Sequence, residues 1–278
     1  MTTADKIAVI TGTTHGIGRV TARELARAGV GLVMLCRNLA LAEALRIEIL
    51  RDVPRAAIAI VPCDLASLGS VREAARIVRR DFAGVDLLIN NAGIVSLRHQ
   101  MSVDGYELTF ATNYLGPFLL TQLLLDRVRK GGRIINVASR AHYRGKLDLE
   151  NLRDPLFRYR AVAAYDRSKL ANVLHTFALA RRLNGSGITA NCLHPGVVAT
   201  NLLPWWLRAI KPLFTPVTLD GERGARSTLH LALSPEVASA QGMYFDEYQM
   251  PQAASTLAID VSLQEALWRA SARYTMMD

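Results

Sequence analysis

The chain has 278 residues, half of them apolar, and a formal net charge of +9. That is enough apolar material for a large core and fits one α/β domain over residues 1–278. The positive charge sits on scattered arginines such as Arg23, Arg27, Arg72, Arg76, Arg79 and Arg80, with no basic run interleaved with aromatics; nucleic-acid binding is therefore unsupported, whereas attraction of anionic small molecules is not excluded.

From the N-terminus, Lys6 to Thr11 reads as a buried strand. Gly12-Thr13-Thr14-His15-Gly16-Ile17-Gly18 follows, then an amphipathic helix to about Ala28. Strand, glycine-rich turn and helix make a dinucleotide site: the glycines let the backbone approach a pyrophosphate, and the helix N-terminus supplies free N–H groups. Gly12, Thr14, His15, Gly16, Ile17 and Gly18 are the candidate phosphate residues, although His15 could equally just fill the turn. Gly31 to Cys36 is the second strand. It lacks the terminal acidic residue that would bond a ribose 2′-hydroxyl and is followed by Arg37 and Asn38. A cation there suits a 2′-phosphate and favours NADP(H) over NAD(H); the alternative is a surface arginine that only starts the next helix.

Leu39 to Arg51 reads as helix and Ala56 to Pro62 as strand. Asp64, next to Leu65, either accepts from an adenine amino group or caps the helix starting near Ser67. After a helix from Ser70 to Phe82, the strand Val85 to Asn90 runs into Asn91, Ala92 and Gly93, small and amide residues suited to a cofactor floor. A long helix from Tyr106 to Lys130 carries Asn113 and is expected to stop at Gly131-Gly132. Arg133 to Ala138 is the next strand, closing on Ser139, and a polar irregular segment runs to Arg160.

The helix Ala161 to Asn184 places Tyr165 and Lys169 four residues apart on one face. An ammonium beside a phenol favours the phenolate, so the pair is expected to give Tyr165 a lowered pKa and an acid–base role. Ile188 to Leu193 is the sixth strand, ending in His194-Pro195-Gly196, with Val198 and Thr200 beyond. Residues 202–218 carry Trp205, Trp206, Leu207, Ile210, Leu213 and Phe214. This stretch reads as a substrate lid at about 200–218, as a helix packing its own core, or as a membrane-interface patch. A helix from Gly221 to Leu233, a strand near Gly242 to Phe245 and a terminal helix from Val261 to Tyr274 complete a doubly wound Rossmann fold with a seven-stranded parallel sheet.

No apolar run is read as long enough for a membrane span, and Met1–Asp5 is too short for a signal peptide. Cys36, Cys63 and Cys192 form no metal motif and read as buried reduced thiols, consistent with a cytoplasmic setting.

In the ordered set Thr11-Gly12, Gly16-Ile17-Gly18, Asp64, Asn90-Asn91-Ala92-Gly93, Asn113, Ser139, Tyr165, Lys169, Pro195-Gly196 and Thr200, the chain resembles the short-chain dehydrogenase/reductase family. Cys36-Arg37-Asn38, Ser139-Arg140-Ala141-His142, Ser168-Lys169-Leu170-Ala171-Asn172 and His194-Pro195-Gly196 are similar to the retinol dehydrogenase and protochlorophyllide reductase branch. The resemblance implies hydride exchange between NADP(H) and an alcohol or carbonyl. Tyr165 is then the proton donor or acceptor, and Ser139 holds the substrate oxygen. Lys169 lowers the Tyr165 pKa and bonds the nicotinamide ribose, and Asn113 holds a relay water. Pro195, Gly196, Val198 and Thr200 are implied to contact the nicotinamide carboxamide and phosphates. With Trp205 and Trp206 over the site, a bulky apolar substrate such as a retinoid, steroid or polyketide is expected. The main rival is a non-catalytic NADP-binding regulator on the same fold; a dehydratase or epimerase is a second.

Opposite its Tyr165 face, the same helix presents Ala163, Leu170, Leu174, Ala178 and Arg181, and the preceding helix presents Ala111, Leu115, Phe118 and Leu125 opposite Asn113. Two apolar outer faces need covering, so a homodimer or homotetramer is expected; the alternative is cover from Tyr143 to Arg160 within one chain.

Overall fold

A computed structural model of the chain describes residues 5–149, 153, 158–196 and 221–276. Val198, Thr200, Trp205, Trp206 and the expected lid lie outside these residues. The first half alternates as expected: β1 (Ile7–Thr11), α1 (Gly16–Arg27), β2 (Gly31–Cys36), α2 (Leu39–Asp52), β3 (Ile58–Pro62), α3 (Leu68–Asp81) and β4 (Val85–Asn90). One turn, α4 (Leu108–Phe110), leads through a π turn (Ala111–Leu115) into α5 (Gly116–Leu124). Then come β5 (Val128–Val137), α6 (Ala161–Arg182), β6 (Thr189–Leu193), α7 (Gly221–Leu233), β7 (Tyr244–Phe245), β8 (Pro251–Gln252), α8 (Thr256–Ile259) and α9 (Val261–Tyr274).

The sheet order is β3-β2-β1-β4-β5-β6-β7-β8. Strand order reverses between β1 and β4, which opens the crevice where doubly wound sheets bind ligands. Side chains alternate across each strand, giving a core on either face. Val9, Val33, Leu88 and Ile134 face α3, α5, α6 and α9. Ile10, Met34, Ile89 and Ile135 face α1, α2 and α7.

The sheet has eight strands, not seven, and the eighth runs antiparallel. β8 is only Pro251–Gln252, too short to show a period. The Asp246 carboxylate holds its hairpin by accepting from the Tyr248 and Met250 N–H groups, both at 2.9 Å, and from Gln252 Nε2. Gly131-Gly132 does not end the long helix. The helical run stops at Arg127 and β5 starts at Val128. Gly131, at φ +83°, bends the strand, and regular pairing with β4 resumes at Arg133.

Residues 108–127 are long and apolar enough to cross a membrane by length and composition, which the sequence reading missed. In this fold most of that stretch is core: Phe110, Leu115, Phe118, Leu119 and Leu120 are fully buried.

The outer faces of α5 and α6 are covered within the chain, in part by the start of the expected segment. Leu170, Leu174, Ala178, Leu115 and Phe118 are all buried. A Cβ on Gly145 would fall 2.6 Å from Leu170 Cβ, and Leu147 and Leu149 pack on the same core. The rest of the cover is α9, whose Trp268 makes an edge contact with Phe118 at 5.3 Å, lies 5.5 Å from the His175 ring and stacks under the Arg182 guanidinium at 4.0 Å. Apolar faces therefore no longer require a second copy. Leu174→Arg, which places a charge in this core, is expected to lower Tm or abolish soluble expression. Release of a folded, smaller species on size exclusion would instead mean that Leu174 lies at a subunit interface.

Candidate active site

The turn after β1 is pinned from behind by β4. The Thr11 hydroxyl accepts from the N–H groups of Asn91 and Ala92, each at 3.0 Å. The Asn91 amide donates to the carbonyls of Thr11 (2.9 Å) and Gly12 (3.1 Å). Gly12 is at φ +70°, and a Cβ on it would lie 2.7 Å from Ala92 Cα. A Cβ on Gly18 would lie 2.1 Å from the Gly12 carbonyl oxygen. Both glycines are thus fixed by packing, and Gly16 by its φ of +53°. α1 then opens with no acidic residue in its first turn and no side-chain cap; its N-terminal N–H groups remain available to an anion. His15 Nδ1 sits 3.0 Å from the Thr14 hydroxyl.

Arg37 and Asn38 are exposed at the carboxyl end of β2. Asn38 caps α2, accepting from Leu41 N–H at 3.1 Å. Beside them the buried Cys36 thiol meets Thr13 Oγ1 at 3.0 Å, and burial raises its pKa. Cys36, Cys63 and Cys192 are all buried free thiols. Asp64 does not cap α3: Ser67 does, while Asp64 Oδ1 accepts from Ala66 N–H at 3.0 Å. Leu65 is buried, its carbonyl backed against Gly116.

The acid–base residues come together from β5 and α6. Ser139 caps a single turn after β5, its Oγ accepting from Ala141 N–H at 3.2 Å. That turn is pressed on α6. A Cβ on Gly145 would fall 2.6 Å from the Asp166 carbonyl, and Arg144 forks onto the Asp166 carboxylate with two contacts of 2.9 Å. Ser139 thereby lies beside the Tyr165 phenol, close enough to pull its pKa down.

The electrostatics differ from the sequence expectation. Burial raises the Tyr165 pKa above the ordinary phenol value, and the Ser139 bond only pulls it part of the way back. The Lys169 ammonium donates to the Val137 carbonyl at 2.8 Å and lies 5.5 Å from the centre of the Tyr165 ring. Burial of Lys169 brings its own pKa down to about 8. Tyr165 therefore rests as a protonated phenol at neutral pH.

Asn113 Oδ1 accepts from Ile94 N–H at 2.8 Å, and Nδ2 donates to the Ile94 carbonyl (2.9 Å) and Ser168 Oγ (3.0 Å). Asn113 thereby fastens the loop after β4 to α6, with Ser168 Oγ bonding on to the Tyr165 carbonyl at 2.7 Å. It does so from the π turn, where Gly116 N–H donates to Ala111 O. Pro117, next along, has no N–H to give to the carbonyls of Thr112 and Asn113.

Beneath the site, Thr121, Asn90, Asn136 and Thr176 form a buried chain across β4 and β5, with contacts of 3.0, 2.8 and 2.9 Å. Asn136, Thr121 and Ser168 had no signal in the sequence, because their partners are distant along the chain. Gly93 lies near Lys169 and Asn113, and Pro195-Gly196 ends the described part of the β6 edge. His194, before it, is buried with neither ring nitrogen partnered, and burial depresses its pKa to about 4. A nicotinamide dinucleotide fits this cradle: the open helix N–H groups and closely packed glycines of the turn after β1 would hold its phosphates.

A short chain dehydrogenase family model matches residues 6–207, and the chain belongs to that family of oxidoreductases. Within it the chain falls in the retinol dehydrogenase-like branch. It is 39% identical to retinol dehydrogenase 13 of Homo sapiens over 96% of this chain and 84% of that protein. Among solved structures, it is similar to an uncharacterized protein from Mycobacterium Paratuberculosis, with a TM-score of 0.81, 36% identity and coverage of 98% of this chain and 94% of that one. It is also similar to a blue fluorescent protein from a metagenomic library solved with NADPH, with a TM-score of 0.71, 29% identity and coverage of 87% and 96%.

Proposed function

We propose that the protein is an NADP(H)-dependent enzyme that reduces the carbonyl of a bulky apolar substrate, in the class of a retinoid, steroid or polyketide, to an alcohol. The observation that carries a proton-donor role is the placement of the Tyr165 phenol beside Ser139, in surroundings that raise its pKa. The bound nicotinamide supplies hydride. Ser139 holds the substrate oxygen within reach of the Tyr165 hydroxyl, which gives it the proton. Lys169, still largely cationic at neutral pH, keeps a positive charge beside the phenolate that remains. Asn113 is the residue expected to hold a relay water. The retinoid preference rests on the named relatives.

The test is turnover of all-trans-retinal, a steroid ketone and a long-chain aldehyde with NADPH and NADH, followed at the dihydronicotinamide absorbance. Reduction of retinal or the steroid with NADPH is expected. Inertness toward all three would favour the non-catalytic NADP-binding reading.

The raised Tyr165 pKa has a defined sign. The proton is present below the folded pKa and lost above it, so carbonyl reduction should decline only at alkaline pH, whereas alcohol oxidation, which needs the phenolate, should rise with pH. A reduction rate that rises with pH through the neutral range would contradict this assignment. Arg37→Ala removes a charge-assisted contact to the 2′-phosphate on the order of 1.5–3 kcal/mol. NADPH should bind roughly ten- to a hundredfold more weakly and NADH nearly unchanged, by fluorescence titration. Equal weakening of both cofactors would contradict that role.

A further inference from the structure

Ser139 presents its hydroxyl to Tyr165 from a single turn, and one side chain of that turn ties it to the C-terminal part of the chain. His142 is fully buried. Its Nδ1 lies 2.7 Å from the Ser139 carbonyl oxygen, which can only accept, so Nδ1 carries the proton. Its Nε2 lies 3.2 Å from the Ser255 N–H, which can only donate, so Nε2 is the bare nitrogen. Both ring positions are thereby assigned by backbone partners, and the ring must be neutral to satisfy both. Burial disfavours the imidazolium and agrees with that. The His142 backbone N–H donates to the same Ser139 carbonyl at 3.1 Å.

The far end of the link is also anchored. Ser255 caps α8, its side chain accepting from Ala258 N–H. The neighbouring Tyr143 hydroxyl donates to the Ala253 carbonyl. The His142 ring stacks at 4.0 Å on Tyr143 and meets Tyr244 of β7 edge-on at 4.7 Å. The ring therefore has no rotational freedom, and through it the Ser139 peptide has little.

We infer that His142 is a positioning residue for the reaction: it clamps the Ser139 peptide to the start of α8, so that the Ser139 hydroxyl stays aimed at Tyr165 and the substrate oxygen. His142 itself touches neither Tyr165 nor the substrate. The clamp deepens the reading of Ser139 and Tyr165 as the reacting pair and rests on that reading.

Two substitutions separate the ends of the link. An Asn amide nitrogen falls where Nδ1 was, so His142→Asn keeps the donor to Ser139 and loses the Ser255 contact. A Gln amide oxygen reaches where Nε2 was, so His142→Gln keeps the acceptor for Ser255 and loses the donor to Ser139. His142→Phe keeps the stacking and loses both. With NADPH and all-trans-retinal, kcat should fall about tenfold or more in His142→Phe and His142→Gln and recover to within a few-fold of wild type in His142→Asn. The NADPH Kd should stay unchanged in all three. Tm should follow a different order, with His142→Gln nearest to wild type. If kcat tracks Tm across the three variants, or if His142→Asn is as slow as His142→Phe, His142 is merely structural and the inference is wrong.

A second readout does not need turnover. Nitrogen-15 NMR of histidine-labelled full-length protein, assigned with His142→Asn, should show His142 in the Nδ1–H tautomer. The Nε2–H tautomer there would overturn the clamp. An inactive wild type with the Nδ1–H signal present would count against the proposed substrate and leave the clamp standing.

Discussion

Tyr165→Phe is expected to lower kcat for carbonyl reduction at least about a hundredfold, the lower range of general acid–base effects. The substitution keeps the ring and removes the proton donor that Ser139 holds. The NADPH Kd should change little, because the glycine turn, the end of β2 and the Asn91 pins do not involve the phenol. Steady-state kinetics with a fluorescence titration check both halves. Loss of cofactor affinity together with kcat would assign Tyr165 a binding role instead.

The second large effect is on stability. Glu107 is completely buried at the start of α4, its carboxylate accepting from Thr109 N–H (2.7 Å) and Phe110 N–H (2.9 Å). A third bond comes from Arg167 Nη2 at 3.2 Å and a fourth from the Tyr159 hydroxyl at 3.4 Å, and the guanidinium lies 4.4 Å over the Phe110 ring. This buried pair ties the entry to the π turn, and so Asn113, to the stretch of α6 that carries Ser168 and Lys169. Glu107→Ala takes from the buried guanidinium its contact with this carboxylate, and breaking a buried pair typically costs about 3–5 kcal/mol. Glu107→Ala also strips α4 of its cap. We expect urea unfolding to show a loss in that range. A loss below about 1 kcal/mol, the scale of an exposed pair, would mean that the site opens to water.

These two predictions differ in how much of them could be read from sequence. Tyr165 and Lys169 are legible because helical spacing alone puts them on one face, and Ser139 because it ends a strand. The glycine turn is legible because few residues allow that backbone. What sequence could not supply was the balance of forces in the folded site. A lysine four residues away suggested a lowered phenol pKa. Burial dominates, however, and the ammonium turns to the Val137 carbonyl, a partner 32 residues away. Glu107 and Arg167 are 60 residues apart, and nothing local marks either as buried. The apolar outer faces of α5 and α6 were seen correctly, and so was part of their cover from the segment after Tyr143, but not the share taken by α9. The apolar stripe of α9 shows that the helix docks somewhere; only the fold shows Trp268 between Phe118 and Arg182. Asn113 was found by its place in a motif, but its bonds to Ile94 and Ser168 were not legible, since those partners come from two other segments.

The account stands most directly on whether the Ser139–Tyr165 pair performs chemistry on a carbonyl. A single-turnover experiment decides it. Protein saturated with NADPH is mixed with excess all-trans-retinal in a stopped-flow instrument, and the dihydronicotinamide absorbance is followed for wild type and Tyr165→Phe. We predict a fast exponential loss of that absorbance in the wild type, slowed about a hundredfold or more in Tyr165→Phe. A constant absorbance in the wild type, with NADPH shown to be bound by its fluorescence and with the steroid ketone and long-chain aldehyde equally inert, would contradict the account and leave a protein that holds the cofactor without using it.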